Sequence, residues 1–193
     1  MASGGMPKKQ VTLLQLLERA RHRERSKITA DEINRAYECD INPSRQKEFF
    51  PKYRNSIVRR TVSNRHEEQL AKDLHRLETL RLPDGGLLRI LYYQCPLKSV
   101  RADKGVGKID LIGCVNKQSL ALVELKTKDS KENPRIALLE IMKYGAIVRD
   151  NINAINCEIT KKFDLELSEG VRLMIVASEN FIHWTRGQQR IRT

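Results

Sequence analysis

Asp110, Glu124 and Lys126 are the residues whose types and spacing are best suited to chemistry. They lie on two consecutive apolar stretches, residues 108–115 and 119–127, each predicted as a β-strand, and the polar residues 116–118 supply a short turn between them. Side chains alternate faces along a strand, so Glu124 and Lys126 point the same way and Leu125 the opposite way. A hairpin brings Asp110 alongside them. Two carboxylates and an ammonium on one edge of a sheet suit a divalent cation and a phosphate. The plainer reading is an exposed Glu–Lys pair, worth about 0–1 kcal/mol. That reading leaves Asp110 unexplained between Ile109 and Leu111, because a carboxylate in an apolar setting is costly unless something compensates it.

The neighbouring elements must position these groups. Residues 65–81 read as a helix capped by Ser63 or Asn64, with Leu70, Leu74 and Leu77 on one buried face. Glu67 falls on that same face, while Glu68 turns toward solvent. Asn64-x-x-Glu67 also fits a capping box, so Glu67 has a structural alternative. A turn at 83–86 leads into a first strand at 87–93, and a polar loop at 101–107 precedes the Asp110 strand. Gly105-Val-Gly-Lys108 lacks the spacing of a phosphate loop and has Ile109 where a hydroxyl is required, so that motif is rejected. Pro134 starts a helix running through Tyr144 toward Val148, with a broad apolar set that implies burial. Residues 171–177 read as a last strand, residues 150–170 carry no clear pattern, and the basic tail 186–192 is expected at the surface.

The order is helix, three strands as a meander, helix, strand, which implies an α/β fold with a mixed sheet flanked by helices. Ahead of it, residues 11–20 form one amphipathic helix, and Thr29-x-x-Glu32 caps a second that runs through Tyr37. Asn42-Pro43 and Phe50-Pro51 then interrupt the pattern. The chain therefore divides into a basic helical N-terminal appendage, residues 1–60, and a site-bearing domain, residues 61–193. The two helices admit a helix-turn-helix reading, although helical hairpins usually just pack.

The formal net charge is +12 and uneven. Residues 1–65 carry 15 Lys+Arg against 7 Asp+Glu, so most of the excess lies there, and a polyanionic partner is expected. No run of about 18 apolar residues exists to cross a membrane, and the first residues lack the apolar core of a signal peptide. Cys39, Cys95, Cys114 and Cys157 lack metal-ligand spacing and read as free thiols, which suits a reducing, cytoplasmic compartment.

The phrases Gly107-Lys-Ile-Asp110, Val123-Glu-Leu-Lys126 and Glu140-x-x-x-Tyr144 resemble the PD-(D/E)xK nuclease superfamily. Thirteen residues separate Asp110 from Glu124-x-Lys126, as that family's core motif allows, and 139–144 is similar to the glutamine-x-x-x-tyrosine element of RecB-type and NucS-type domains. The likeness covers about residues 63–178. It departs at Ile109, where the motif has proline, and at Glu140, where it has glutamine. It implies a restriction-endonuclease-like αβββαβ core and a Mg²⁺-dependent endonuclease acting on DNA, with Mn²⁺ substituting. It further implies metal ligands at Asp110, Glu124, the Leu125 carbonyl and Glu67. Lys126 is then the residue that positions water or steadies charge on the phosphate, with a pKa lowered by the metal, and Tyr144 and Glu140 orient it or touch the backbone.

On this reading Lys104, Lys108, Lys128, Lys131 and Arg135 contact phosphates near the site, and Arg21, Arg23, Arg25, Arg59 and Arg60 extend the basic surface. Many members of that family pair to cut two strands, so a homodimer is among the implied partners. The competing function is a non-catalytic nucleic-acid-binding module on a nuclease-like fold, for which metal binding through Asp110 and Glu124 would be absent. A regulator using the N-terminal helices is a third reading.

Overall fold

A computed structural model describes residues 11–22, 28–42, 45, 47–51, 65–98 and 107–178. Within them the chain forms α1 (Leu13–Arg21), α2 (Ala30–Cys39), α3 (His66–Leu77), β1 (Thr79–Arg81), β2 (Leu87–Pro96), β3 (Lys108–Val115), β4 (Ser119–Lys126), α4 (Pro134–Asp150), α5 (Ile152–Phe163) and β5 (Glu169–Ala177). The strands make one mixed sheet in the order β1-β2-β3-β4-β5. The first four form an antiparallel meander, and β5 joins β4 in parallel. A parallel return requires a crossover, here supplied by α4 and α5. The fold is α/β with helices flanking a mixed sheet.

The apolar residues of the strands face two layers. On one side α3 covers Leu88, Ile90, Leu111, Val123 and Leu125 with Ala71, helped by Leu70 and Leu74. On the other side Ile112, Cys114, Leu120 and Leu122 meet Ile141, Tyr144, Ile147 and Val148 of α4, Ile155 and Ile159 of α5, and Phe49 and Phe50. Helix α4 is apolar in a second direction as well. Its Ile136, Leu139 and Ala146 pack with Leu13, Leu16, Leu17 and Ala20 of α1 and with Ile33 and Ala36 of α2. Gly145 lets this helix lie close to the sheet, since a Cβ there would press into the Leu173 side chain.

Local signals explain several boundaries. Thr12 and Thr29 each close a capping box, with Gln15 and Glu32. Asn133 caps α4 ahead of Pro134, whose fixed φ suits the first helical turn.

Other expectations are corrected. Helix α3 ends at Leu77 because Glu78 turns the chain at φ 60, and residues 79–81 then pair with β2 as a hairpin across 82–86. Leu77 lies beyond that contact at 64% exposure, so the buried face is built on Ala71. The α3 N-cap is Arg65, without a side-chain cap bond, and Ser63 and Asn64 lie outside the described residues. Glu68 pairs with the buried Lys72 at 3.0 Å instead of turning to solvent. Strand β2 runs on to Pro96, and the stretch after residue 150, read as patternless, holds α5, whose Ile152, Ile155, Ile159 and Phe163 form one stripe against the core. The predicted division near residue 60 and the basic tail fall outside the described residues, as do Arg23, Arg25, Arg59, Arg60 and Lys104.

Candidate active site

The β3–β4 ladder ends at the Leu111–Val123 pair, yet β4 continues to Lys126 while still paired with β5. The two strands therefore part at the end that carries Asp110 and Glu124. Asp110 fills the opening: its Oδ2 accepts the Leu125 N–H at 2.9 Å, in the place a strand carbonyl would take. Its Oδ1 accepts from Gln94 Nε2 at 2.7 Å. Donors from β4 and β2 thus fix the carboxylate plane. An extended residue sends its N–H and C=O to the same side, so the Leu125 carbonyl also faces the Asp110 side of the strand.

Glu124 and Lys126 share a face as the alternation requires, and both are buried. Lys126 Nζ lies 2.9 Å from Glu124 Oε1, 2.5 Å from Glu132 Oε2 and 3.7 Å from Glu140 Oε2. Glu140 in turn meets Arg21 at 2.5 Å, so α1 reaches into the pocket. Tyr144, one turn on along α4, is buried beside Gly107, where a Cβ would collide with the tyrosine hydroxyl. Only a residue without a side chain lets the β3 approach pass there.

The electrostatics follow from too many acids in too little water. Burial pushes the Asp110 pKa up to about 6 against the N–H of Leu125 and the charge of Lys126, and Glu67 raises it further. Burial and then the charge of Asp110 push Glu124 up to about 8 despite Lys126, with Glu140 adding to the rise. Glu140 is raised by burial and by Glu132, opposed by Lys126 and Arg21. For Lys126 burial works downward, but Glu124 and Glu132 outweigh it and hold the ammonium protonated. Burial, then Glu124, Glu140 and Asp110, raise the Tyr144 hydroxyl, which stays a hydrogen-bond donor.

Glu67 is half-buried in the first turn of α3, on the opposite layer, and its charge is felt at Asp110. Asp110, Glu124, Lys126, Glu140 and Tyr144 are brought together, with Glu67 at the margin. Lys108, Lys128, Lys131 and Arg135 are exposed on β3, on the β4–α4 connection and at the start of α4. Two contributors escaped the sequence reading, and a third was given another role. Gln94 lies beyond the predicted end of its strand, Glu132 sits in a polar connection, and Arg21, read as part of the basic surface, pairs with Glu140. A signal for Glu132 existed in its place two residues before the helix-starting Pro134, at the same sheet end as Lys126.

The donor set suits a hard cation. All the available atoms are oxygens, and the Gln94 and Leu125 donors leave lone pairs on Asp110. Among the described residues no group of three or more His, Cys, Asp or Glu side chains is placed to hold a metal ion. An open pair of carboxylates fits Mg²⁺, which keeps several of its waters. No protein-family model, curated protein or solved structure matches the chain. Function is therefore inferred from the chemistry of the site.

Proposed function

We propose that this chain is a metal-dependent endonuclease that hydrolyses DNA phosphodiester bonds, with a restriction-endonuclease-like core of the PD-(D/E)xK type. The supporting observation is the pairing of two buried carboxylates, Asp110 and Glu124, each raising the cost of the other's charge, with the protonated Lys126 beside them. Buried charges are normally balanced, and here the acids outnumber their partners. A divalent cation would relieve that excess.

Asp110, Glu124 and the Leu125 carbonyl would hold the cation, with Glu67 reaching it directly or through water. When bound, it supplies positive charge to the phosphate and makes water more acidic. Lys126, beside the two carboxylates, would donate to a phosphate oxygen or orient the attacking water. To do so it exchanges one of its three acidic neighbours for substrate. Glu140 and Glu132 hold the ammonium in place until then, and Arg21 limits the charge on Glu140. Tyr144 offers a protonated hydroxyl next to the same groups. The exposed Lys108, Lys128, Lys131 and Arg135, together with Lys104, would track the DNA backbone, giving affinity that falls with salt and carries no sequence readout.

The test is cleavage of linear and branched DNA by the full chain with Mg²⁺ or Mn²⁺. Asp110→Ala, Glu124→Ala and Lys126→Ala should each reduce cutting by at least about 10²-fold while circular dichroism stays unchanged. Undiminished cutting by all three variants overturns the assignment. DNA binding without cutting, and without metal binding that depends on Asp110, would identify a non-catalytic module.

A further inference from the structure

Gln94 occupies a position where its backbone does not behave as that of an ordinary strand residue. Its φ is 51, the left-handed region that a residue with a Cβ adopts at a cost. It lies between the Tyr93–Leu111 and Cys95–Ile109 pairs, just past a register shift between Ile90 and Tyr92. The two flanking pairs keep one register, so Gln94 falls directly opposite Asp110 and the two side chains share a face. The Gln94 side chain ends at Asp110, with Nε2 donating to Oδ1 at 2.7 Å. The Leu125 N–H holds the other carboxylate oxygen.

We propose that Gln94 is a positioning residue of the metal site. Its amide, opposite Asp110 on the neighbouring strand, locks the Asp110 carboxylate in the orientation that presents its remaining lone pairs to a divalent cation. The inference rests on the metal-dependent reading of the site. The physical reason is geometric. One donor leaves a carboxylate free to rotate about its last bond, whereas two donors from different strands fix its plane. Partners that orient a ligand in this way commonly govern metal affinity. A strained backbone with no such task would be relieved by glycine without consequence for the site.

The experiment is calorimetric titration of Mn²⁺ into the full chain, alongside thermal melts, for the unsubstituted protein, Gln94→Leu, Gln94→Gly and Asp110→Asn. Gln94→Leu and Gln94→Gly should bind Mn²⁺ about 10- to 100-fold more weakly. Gln94→Gly should melt at an unchanged or higher temperature, because φ 51 is unstrained for glycine. A purely structural role predicts instead that affinity and melting temperature fall together in both variants, and that result overturns the proposal. If the leucine variant does not fold, the glycine variant decides. Unaltered Mn²⁺ affinity in the Gln94 variants, with a loss in Asp110→Asn, overturns the role of Gln94 and leaves the metal site standing. No effect of Asp110→Asn overturns the metal site and this inference with it.

Discussion

Two clusters among the described residues handle their carboxylates in opposite ways. Glu158 of α5 accepts the backbone N–H of Phe49 at 2.9 Å and of Phe50 at 3.0 Å, with Lys162 3.7 Å away. Lys162 also donates to the Phe50 carbonyl, and Arg45 donates to the carbonyls of Lys47, Glu48 and Pro96 while its guanidinium covers the Phe49 ring. Every charge there has a fixed partner of opposite sign or a backbone dipole, and the outcome is a clamp that seats Phe49 and Phe50 in the core. At the parted end of β3 and β4 the acids face one another instead. Asp110 and Glu124 raise each other, and the single lysine is shared by three glutamates. A satisfied carboxylate holds structure together, whereas a crowded one holds its proton above the ordinary carboxylate range. Perturbed groups of the second kind gather at functional sites.

The contrast can be broken first at the clamp. Glu158→Ala leaves two buried N–H groups without an acceptor, which should cost roughly 2–4 kcal/mol of stability in urea denaturation. Mn²⁺ affinity of the folded protein should not change. An equal loss of metal affinity would mean that the two regions are not independent.

The second effect is the response to pH. An acid whose folded-state pKa is raised holds its proton more tightly when folded. It therefore favours the fold below the ordinary carboxylate range, and that contribution is lost as pH rises through the raised value. For Asp110 and Glu124 the window runs from the usual carboxylate range up through about 6 and about 8. The metal-free protein should melt at progressively lower temperature across that window. Glu124→Gln, which cannot ionise, should flatten the slope and melt roughly 5 °C higher than the parent near the upper end. Mg²⁺ should recover the loss in the parent. A parent melting temperature that rises across the window would refute the crowding.

The smallest effect sharpens the boundary of the site. Arg21 is nearly half exposed, so its bond to Glu140 is screened, and Arg21→Gln should cost less than about 1 kcal/mol in stability. Cutting should nevertheless fall several-fold, with its pH dependence altered, because Glu140 then competes more strongly for Lys126. An unchanged pH profile would place α1 outside the chemistry.

Much of this arrangement was legible in local patterns. The β3 and β4 apolar runs, the polar turn between them, the Thr29 capping box and the Pro134 start are all short-range signals. The interruption of an apolar run by Asp110 and the shared face of Glu124 and Lys126 follow from alternation alone. Less legible were contacts that cross the sequence. Glu140 could have faced solvent, and only the packing of α4 turns it to Lys126. Gln94 meets Asp110 because β2 runs past its predicted end and sets it opposite that residue, and Glu132 meets Lys126 because the end of β4 and the start of α4 converge. The N-terminal helices read as an appendage because their own periodicity explains them. Their apolar stripes do not reveal that they close on α4 and deliver Arg21.

What the sequence by itself determined was part of the inventory: the site-bearing strands, the helices α1, α2 and α4, and which charged residues sit where charge is costly. Periodicity is a property of neighbours along the chain, so it survives without a fold. What only the tertiary structure decided was the balance of charge in the pocket. It depends on how far β3 and β4 part, which N–H groups fill the gap, and which acids from three other elements arrive beside Lys126. Burial removes the water that would have hidden those differences, and it turns a common set of residues into a crowded cluster whose acids hold their protons unusually tightly.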